Sequence, residues 1–257
     1  MSLLNKKIVS IYLILLVTAF SAHAENLLPE PFKHLNGRHA PQWGPNCHNT
    51  ALVFSGLASH LRFTEADEIL FWLSSPLCRE VRTDEKLHYG DIGQIWSSES
   101  STGLYHSFIH ISTNEVFSKR GVWTQDPFLL EHKDDLFKEF IRTDVQPTCL
   151  RSTRKNGDCR YWVSYFRCKP LAQYLAENSV PFTKKMKTIA QELSSIEQRI
   201  SQIAMREVKA PPGAELRSSL NRLQKSLESD RSNASFLHQI FGVRIISLKQ
   251  QIQVWGL

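Results

Sequence analysis

Apolar residues fall into three regimes along this 257-residue chain. The first is a continuous run, Ile8 to Phe20. The second, from Trp43 to about Phe166, mixes helical and strand patterns. Behind a start signal at Asn46, the residues Leu52, Val53, Gly56 and Leu57 mark one face of a helix that the pattern carries from Cys47 to about Ser59 or His60. Thr64 is placed to cap a second helix, with Glu65, Asp67 and Glu68 at its positive end and Ile69, Leu70, Trp72 and Leu73 as its packed face, stopping before Ser74-Ser75-Pro76. Ile92, Ile95 and Trp96 follow a tight Gly90-Asp91 entry and read as a buried strand. A second strand carries His106 and His110, and a third, Val116-Phe117-Ser118, completes a hairpin across Thr113-Asn114. A short helix near Asp134 to Ile141 and an aromatic strand, Tyr161 to Phe166, come next. Residues 25 to 42, broken by Pro29, Pro31 and Pro41, read as an irregular lead-in.

The third regime begins near Val180. Ile189, Leu193, Ile196, Ile200 and Ile203 recur at alternating four- and three-residue steps, the seam of a coiled coil. Pro211-Pro212-Gly213 breaks it, and Leu216, Leu220, Leu223 and Leu227 resume the same spacing. The pattern predicts an antiparallel helical hairpin, then a third helical stretch from about Ser235 to Trp255. The expected fold is α+β, an antiparallel sheet packed on the Cys47 helix, followed by a C-terminal helical extension with packing inside the chain and self-association both open to it.

The first regime changes the compartment. Lys6 and Lys7, the apolar run and Ala22-His23-Ala24 form a signal peptide over residues 1–24, with a retained anchor as the rival reading of a run short for a bilayer span. The expected domains are then 25–179 and 180–257. Export in turn changes the meaning of the five cysteines. Cys78, Cys149, Cys159 and Cys168 are an even set with three pairings open to it, Cys149 with Cys159 being an easy bridge across a polar loop, and Cys47 is the odd thiol. Cys47 pairing in place of one of these, and a zinc site at Cys149, Cys159 and Cys168, are the alternatives. The formal charge of +6 sits in the last regime: residues 180–257 hold twelve Lys plus Arg against six Asp plus Glu. A basic helical appendage on an exported protein can meet an anionic envelope surface, and export disfavours nucleic acid as a partner.

The chemistry concentrates at Cys47. A thiol on the first turn of a helix faces unpaired backbone N–H groups and the positive end of the dipole, which favour thiolate. A cysteine nucleophile needs a base, and His106 on the following strand is the candidate, with His110, four residues on and on the same strand face, as its alternative. Gln42, upstream of the thiol, is a candidate oxyanion donor beside the backbone N–H of Cys47. His48 is expected to point elsewhere on the helix, and Asp91 to form a turn. No phosphate loop, dinucleotide fingerprint or His-Glu metal pattern is present.

A Cys-bearing helix start, Gly90-Asp91-Ile92 before a strand, then His106-x-x-Ile109-x-Ile111, an Asn turn and a Val-Phe strand together resemble the NlpC-type cell-wall peptidases of the papain-like cysteine hydrolase superfamily. The resemblance covers roughly Trp43 to Pro127. It implies Cys47 as nucleophile, His106 as base and Ser118 as the polar residue that orients the imidazole, with Glu115 and Gln125 as rivals for the third role. It implies a papain-like fold, a peptide or amide bond in peptidoglycan stem peptides as substrate, and no cofactor. The chain departs from the family in having Asn46 and His48 where an acid and a small residue are usual. A catalytically weak wall-binding or scaffold protein on the same fold is the alternative.

Overall fold

In the computed structural model, the described residues are 27–40, 44–100, 102–123, 125–141, 149–150, 159–178, 183–205, 213–229 and 235–254. The expected signal peptide, Gln42, Trp43 and Trp255 lie outside them. Among the described residues the fold is α+β, with eight helices and one six-stranded sheet. The helices of the first half are α1 (Glu30–Lys33), α2 (Cys47–Phe54) and α3 (Ala66–Ser74). The strands are β1 (Cys78–Glu80), β2 (Ile92–Ser97), β3 (Leu104–His110), β4 (Glu115–Lys119), β5 (Phe128–His132) and β6 (Tyr161–Cys168). Helix α4 (Lys133–Ile141) follows β5, and α5 (Leu171–Glu177) follows β6. The C-terminal helices are α6 (Lys184–Ala204), α7 (Gly213–Glu228) and α8 (Ser235–Val254).

The sheet order is β1-β6-β2-β3-β4-β5, with every neighbouring pair antiparallel. One face of the sheet buries Ile109 and Phe117 in a core shared with α2, α3 and the C-terminal helices. The other buries Ile95, Phe108, Val116 and Val163 under Leu136 and Phe137 of α4. Disulfides Cys78–Cys168 and Cys149–Cys159 take the even set of cysteines, and Cys47 is free. The first of these joins paired residues of β1 and β6. No helix among the described residues is long and apolar enough to cross a membrane.

Two helix boundaries differ from those expected. Helix α2 stops at Phe54 because Gly56 takes φ 72°, a left-handed C-terminal conformation that glycine adopts without steric cost. Helix α3 is preceded by Glu65, which makes no side-chain cap bond. Thr64 turns inward instead and receives the Asn49 side chain at 3.1 Å. The lead-in also holds one helical turn, α1, with Pro29 extended at its N-cap and Pro31 in the first turn, where the fixed φ of proline suits a helix start. Gly93 in β2 is a packing requirement: a Cβ there would lie 2.1 Å from the Phe108 ring, so only a bare backbone lets that ring lie across the strand.

The heptad residues of α6 and α7 face one another and α8, with Ile189, Leu193, Ile200, Leu216, Leu220 and Leu223 all buried. These helices are joined to the rest by a charge cluster. Arg62 is 1% exposed and donates to Glu68 at 2.9 and 2.5 Å and to Glu197 of α6 at 3.3 Å. Arg244 of α8 closes the set, donating to both oxygens of Glu197 at 3.0 and 2.5 Å. Two guanidiniums and two carboxylates make a neutral buried quartet. Burial opposes the charge on Glu197, but Arg244 and Arg62 outweigh it and hold the carboxyl down to about 2.

Removing one member of such a set leaves uncompensated charge, so Glu197→Gln is expected to cost about 3–5 kcal/mol in urea unfolding. Because the folded pKa of Glu197 lies below its ordinary 4.5, the unfolded chain takes up the proton first as pH falls. The stability this group supplies is therefore complete above about pH 4.5 and lost toward pH 2. Wild-type stability that stays flat across that window, or a Glu197→Gln protein as stable as wild type, contradicts this account of the quartet.

Candidate active site

The site is built where the sheet opens. Strands β3 and β4 pair only through Ile109–Phe117 and His110–Val116. Beyond that, β3 continues on β2 as far as Leu104, and β4 continues on β5 as far as Lys119. The two strands therefore fork away from their turn, and α2 packs against both. Its first residue, Cys47, is the free thiol and is 7% exposed.

The expected cap is present. Asn46 Oδ1 accepts from the Asn49 backbone N–H at 3.0 Å, and its Nδ2 donates to the Thr64 carbonyl at 2.8 Å. The cap thus fixes α2 both to itself and to the loop ahead of α3. Asn49 repeats the link one turn on, accepting from the Arg62 N–H at 2.8 Å. First-turn N–H groups have no intrahelical acceptor, so the thiol sits against partial positive charge.

His106 lies close enough to that thiol to bear on its charge. Its backbone pairs with Ile95, which belongs to the α4-side core, and its ring stacks on Phe140 of α4 at 3.9 Å and 20°. Cys47 belongs to a helix on the opposite face, so the fork is what lets the thiol meet this imidazole. The His106 Nε2 atom is buried and makes no hydrogen bond of normal geometry.

His48 does not point away as the helical spacing suggested. Its Nδ1 lies 3.8 Å from Cys47 Sγ and 2.7 Å from Ser107 Oγ. Ser107 donates to Gln94 Oε1 at 2.6 Å, and Gln94 Nε2 donates to the carbonyls of His106 and Ile95 at 2.7 and 3.0 Å. Lys119, at the end of β4 with no exposed surface, is the fourth group near the sulfur. Its Nζ donates to the carbonyls of Gly121 and Trp123 at 2.7 and 3.3 Å.

These charges decide the state of the thiol. Burial raises its pKa, but the imidazoles of His48 and then His106 outweigh burial, and Cys47 ends well below its ordinary value. Burial pushes His48 down, yet the facing sulfur more than restores it, so that imidazole is raised. Burial lowers Lys119 to about 8, with Asp126 and Cys47 opposing. Cys47 is read as a thiolate, with the raised His48 imidazole facing it.

The other expected residues are placed as follows. Ser118 shares the α4 face of β4 with Val116, and its buried Oγ makes no hydrogen bond, to His106 or to any other described group. Glu115 stands at the other end of β4, accepting from Ser112 at 3.0 Å, and Gln125 is exposed. His110 is one four-residue step from His106, roughly 13 Å along the strand. It lines a separate cavity of about 410 Å³ with Lys86, Lys133, Phe137 and Tyr165. Asp91 is the turn residue expected, held by the His88 N–H at 2.8 Å and by Arg167 at 2.9 and 2.8 Å.

His48, Ser107, Gln94 and Lys119 carried no role in the sequence reading. The available signal was that three of them are polar residues inside runs of buried strand. Compared with protein families, with curated proteins and with solved structures, the chain finds no match.

Cys47 is expected to be alkylated at half its maximal rate well below pH 8.5, the model-peptide region for a thiol. Lys119→Met, which removes a cation from the sulfur's surroundings, should move that midpoint upward. A midpoint at or above about 8.5 in the wild type would contradict the thiolate assignment.

Proposed function

We propose that the protein is an exported cysteine hydrolase that cleaves a peptide or amide bond, with peptidoglycan stem peptides as the substrate class. The observation that carries the reading is a free, acid-shifted cysteine at a capped helix start, beside the imidazole of His106. A Cys-bearing helix followed by antiparallel strands, with the histidine on the strand after the one that Gly90-Asp91-Ile92 opens, is the order that the resemblance to the NlpC-type peptidases implies, and it supports a papain-like assignment. Two disulfides support export. The basic helices α6 to α8 would hold the enzyme against anionic envelope polymer.

In the reaction, the proton of Cys47 having passed to His106, the thiolate attacks the carbonyl carbon. The C–S bond forms as the carbonyl π pair moves onto oxygen, where first-turn N–H groups of α2 offer donors. Collapse of the tetrahedral intermediate breaks the C–N bond, and the imidazolium returns its proton to the leaving amine. Water then gives a proton to His106 and its hydroxyl to the thioester carbon, the C–S bond breaks, and the acid leaves with the thiolate and the protonated His106 restored.

The test is digestion of purified cell-wall fragments with wild type, Cys47→Ala and His106→Ala. Wild type should release stem-peptide fragments and, when quenched in acid, carry the acyl mass on Cys47. Cys47→Ala should release none, and His106→Ala should be slower by about 10²–10⁴-fold. Fragments bound equally by wild type and Cys47→Ala, and cut by neither, would replace this reading with a wall-binding role.

A further inference from the structure

The hydrogen bonds around Cys47 fix where protons sit, and this deepens the hydrolase reading, on which its catalytic meaning rests. The amide of Gln94 has one orientation, because its two donors face the carbonyls of His106 and Ile95 at 2.7 and 3.0 Å. Its Oε1 must therefore accept, and it accepts from Ser107 at 2.6 Å. A serine hydroxyl has a single proton, and here it is committed to Gln94. The 2.7 Å contact between Ser107 Oγ and His48 Nδ1 then needs its proton from the ring. All three supporting groups are buried: Gln94 and Ser107 have no exposed surface, and His106, whose carbonyl anchors Gln94, is 1% exposed. Water has little room to rewrite this order.

The geometry points to His48 as a positioning residue whose Nδ1–H is held by the Gln94–Ser107 relay as a donor toward the Cys47 sulfur, leaving His106 to accept the thiol proton. The two imidazoles thus have opposite duties. His106 Nε2, buried and without a hydrogen-bond partner, is the open acceptor. His48 Nδ1, at 3.8 Å from the sulfur, shares its proton between Ser107 and the thiolate. When His48 titrates, the proton it loses comes from Nε2. The other charges that face this group are Lys119 of β4, Glu65 before α3 and His106 of β3, with Asp126 beside Lys119 and Glu131 beside His106.

The relay makes opposite predictions for two neighbouring substitutions. Gln94→Met frees the Ser107 proton to turn on His48 Nδ1, which removes the donor from the sulfur. The alkylation midpoint of Cys47 should rise by about one pH unit, since a hydrogen bond to a charged group is worth at least that much. Ser107→Ala removes the competing acceptor and should leave the midpoint at or below the wild-type value. The double variant, which lacks the misdirected hydroxyl, should return toward wild type. A merely structural role would shift both single variants the same way and the double variant furthest. As a readout on the unaltered protein, ¹⁵N ring shifts above the titration of His48 should report Nδ1 protonated.

An Nε2-protonated ring, an unchanged Gln94→Met midpoint, or a double variant as shifted as Gln94→Met would each overturn the relay. None of these measurements needs a substrate. A relay that passes them in a protein that cuts no wall fragment would stand while the hydrolase reading fell, and the reverse outcome is equally readable.

Discussion

Burying Arg62 is the constraint on which the arrangement turns. A guanidinium with 1% of its surface exposed needs charged and polar partners, and although its Nε makes no hydrogen bond, its two terminal nitrogens and the residue's backbone N–H are held from four parts of the chain. Glu68 lies on α3, Glu197 on α6, Ser247 on α8, and the Arg62 backbone N–H is held by Asn49 of α2. Moving any one of these elements breaks a bond to a charge that water cannot reach. The C-terminal helices therefore belong to the fixing of α2, because Arg244 and Glu197 complete the neutrality that lets Arg62 sit beneath Asn49.

From Arg62 the constraint runs to the thiol through short polar links. Asn49 ties the helix to His60 and Thr64, and Asn46 ties its first turn to the Thr64 carbonyl. Each bond lies inside the α2-side core, where an unmade polar contact costs more than a made one gains. The start of α2 is thus held over the fork between β3 and β4. A shift of one turn would carry Cys47 off the opening and away from both imidazoles.

Much of the fold was legible in the sequence because its signals are local. The Asn46 cap, the strand with His106, the strand expected over Tyr161 to Phe166, which runs on to Cys168, and the heptads of α6 and α7 appear where spacing put them. Helix α2 was read too long because Leu57 continues the apolar period, while the backbone freedom of Gly56 ends the helix first. Thr64 was read as a cap because cap residues are also good buried hydrogen-bonders, and the claim of Asn49 on it comes from 15 residues away. Strands β1 and β5 escaped because three and five residues at a sheet edge carry little alternation. In the site, the sequence singled out Cys47, at a helix start, and His106, on a strand, as residues that the fold should bring together, and both border the same opening. Gln94, Ser107 and Lys119 were not, since a polar residue in a strand says nothing about what faces it until register is known. His48 was misplaced because helical spacing from Cys47 sets its direction, but not the serine on β3 that captures its ring.

The fork resolves a conflict between burial and reactivity. A sheet that stayed paired through Ser107 and Lys119 would satisfy its backbone and seal Cys47 from His106, since the two are rooted on opposite faces. Opening the ladder gives up strand pairs and exposes polar backbone inside the fold. Near the opening, backbone carbonyls hold the side chains placed around the sulfur: that of His106 takes Gln94, and those of Gly121 and Trp123, past the end of β4, take Lys119. A lysine with no exposed surface and two imidazoles share this space with the negative charge of the thiolate, and Asp126 beside Lys119, Glu65 beside His48 and Glu131 beside His106 add theirs.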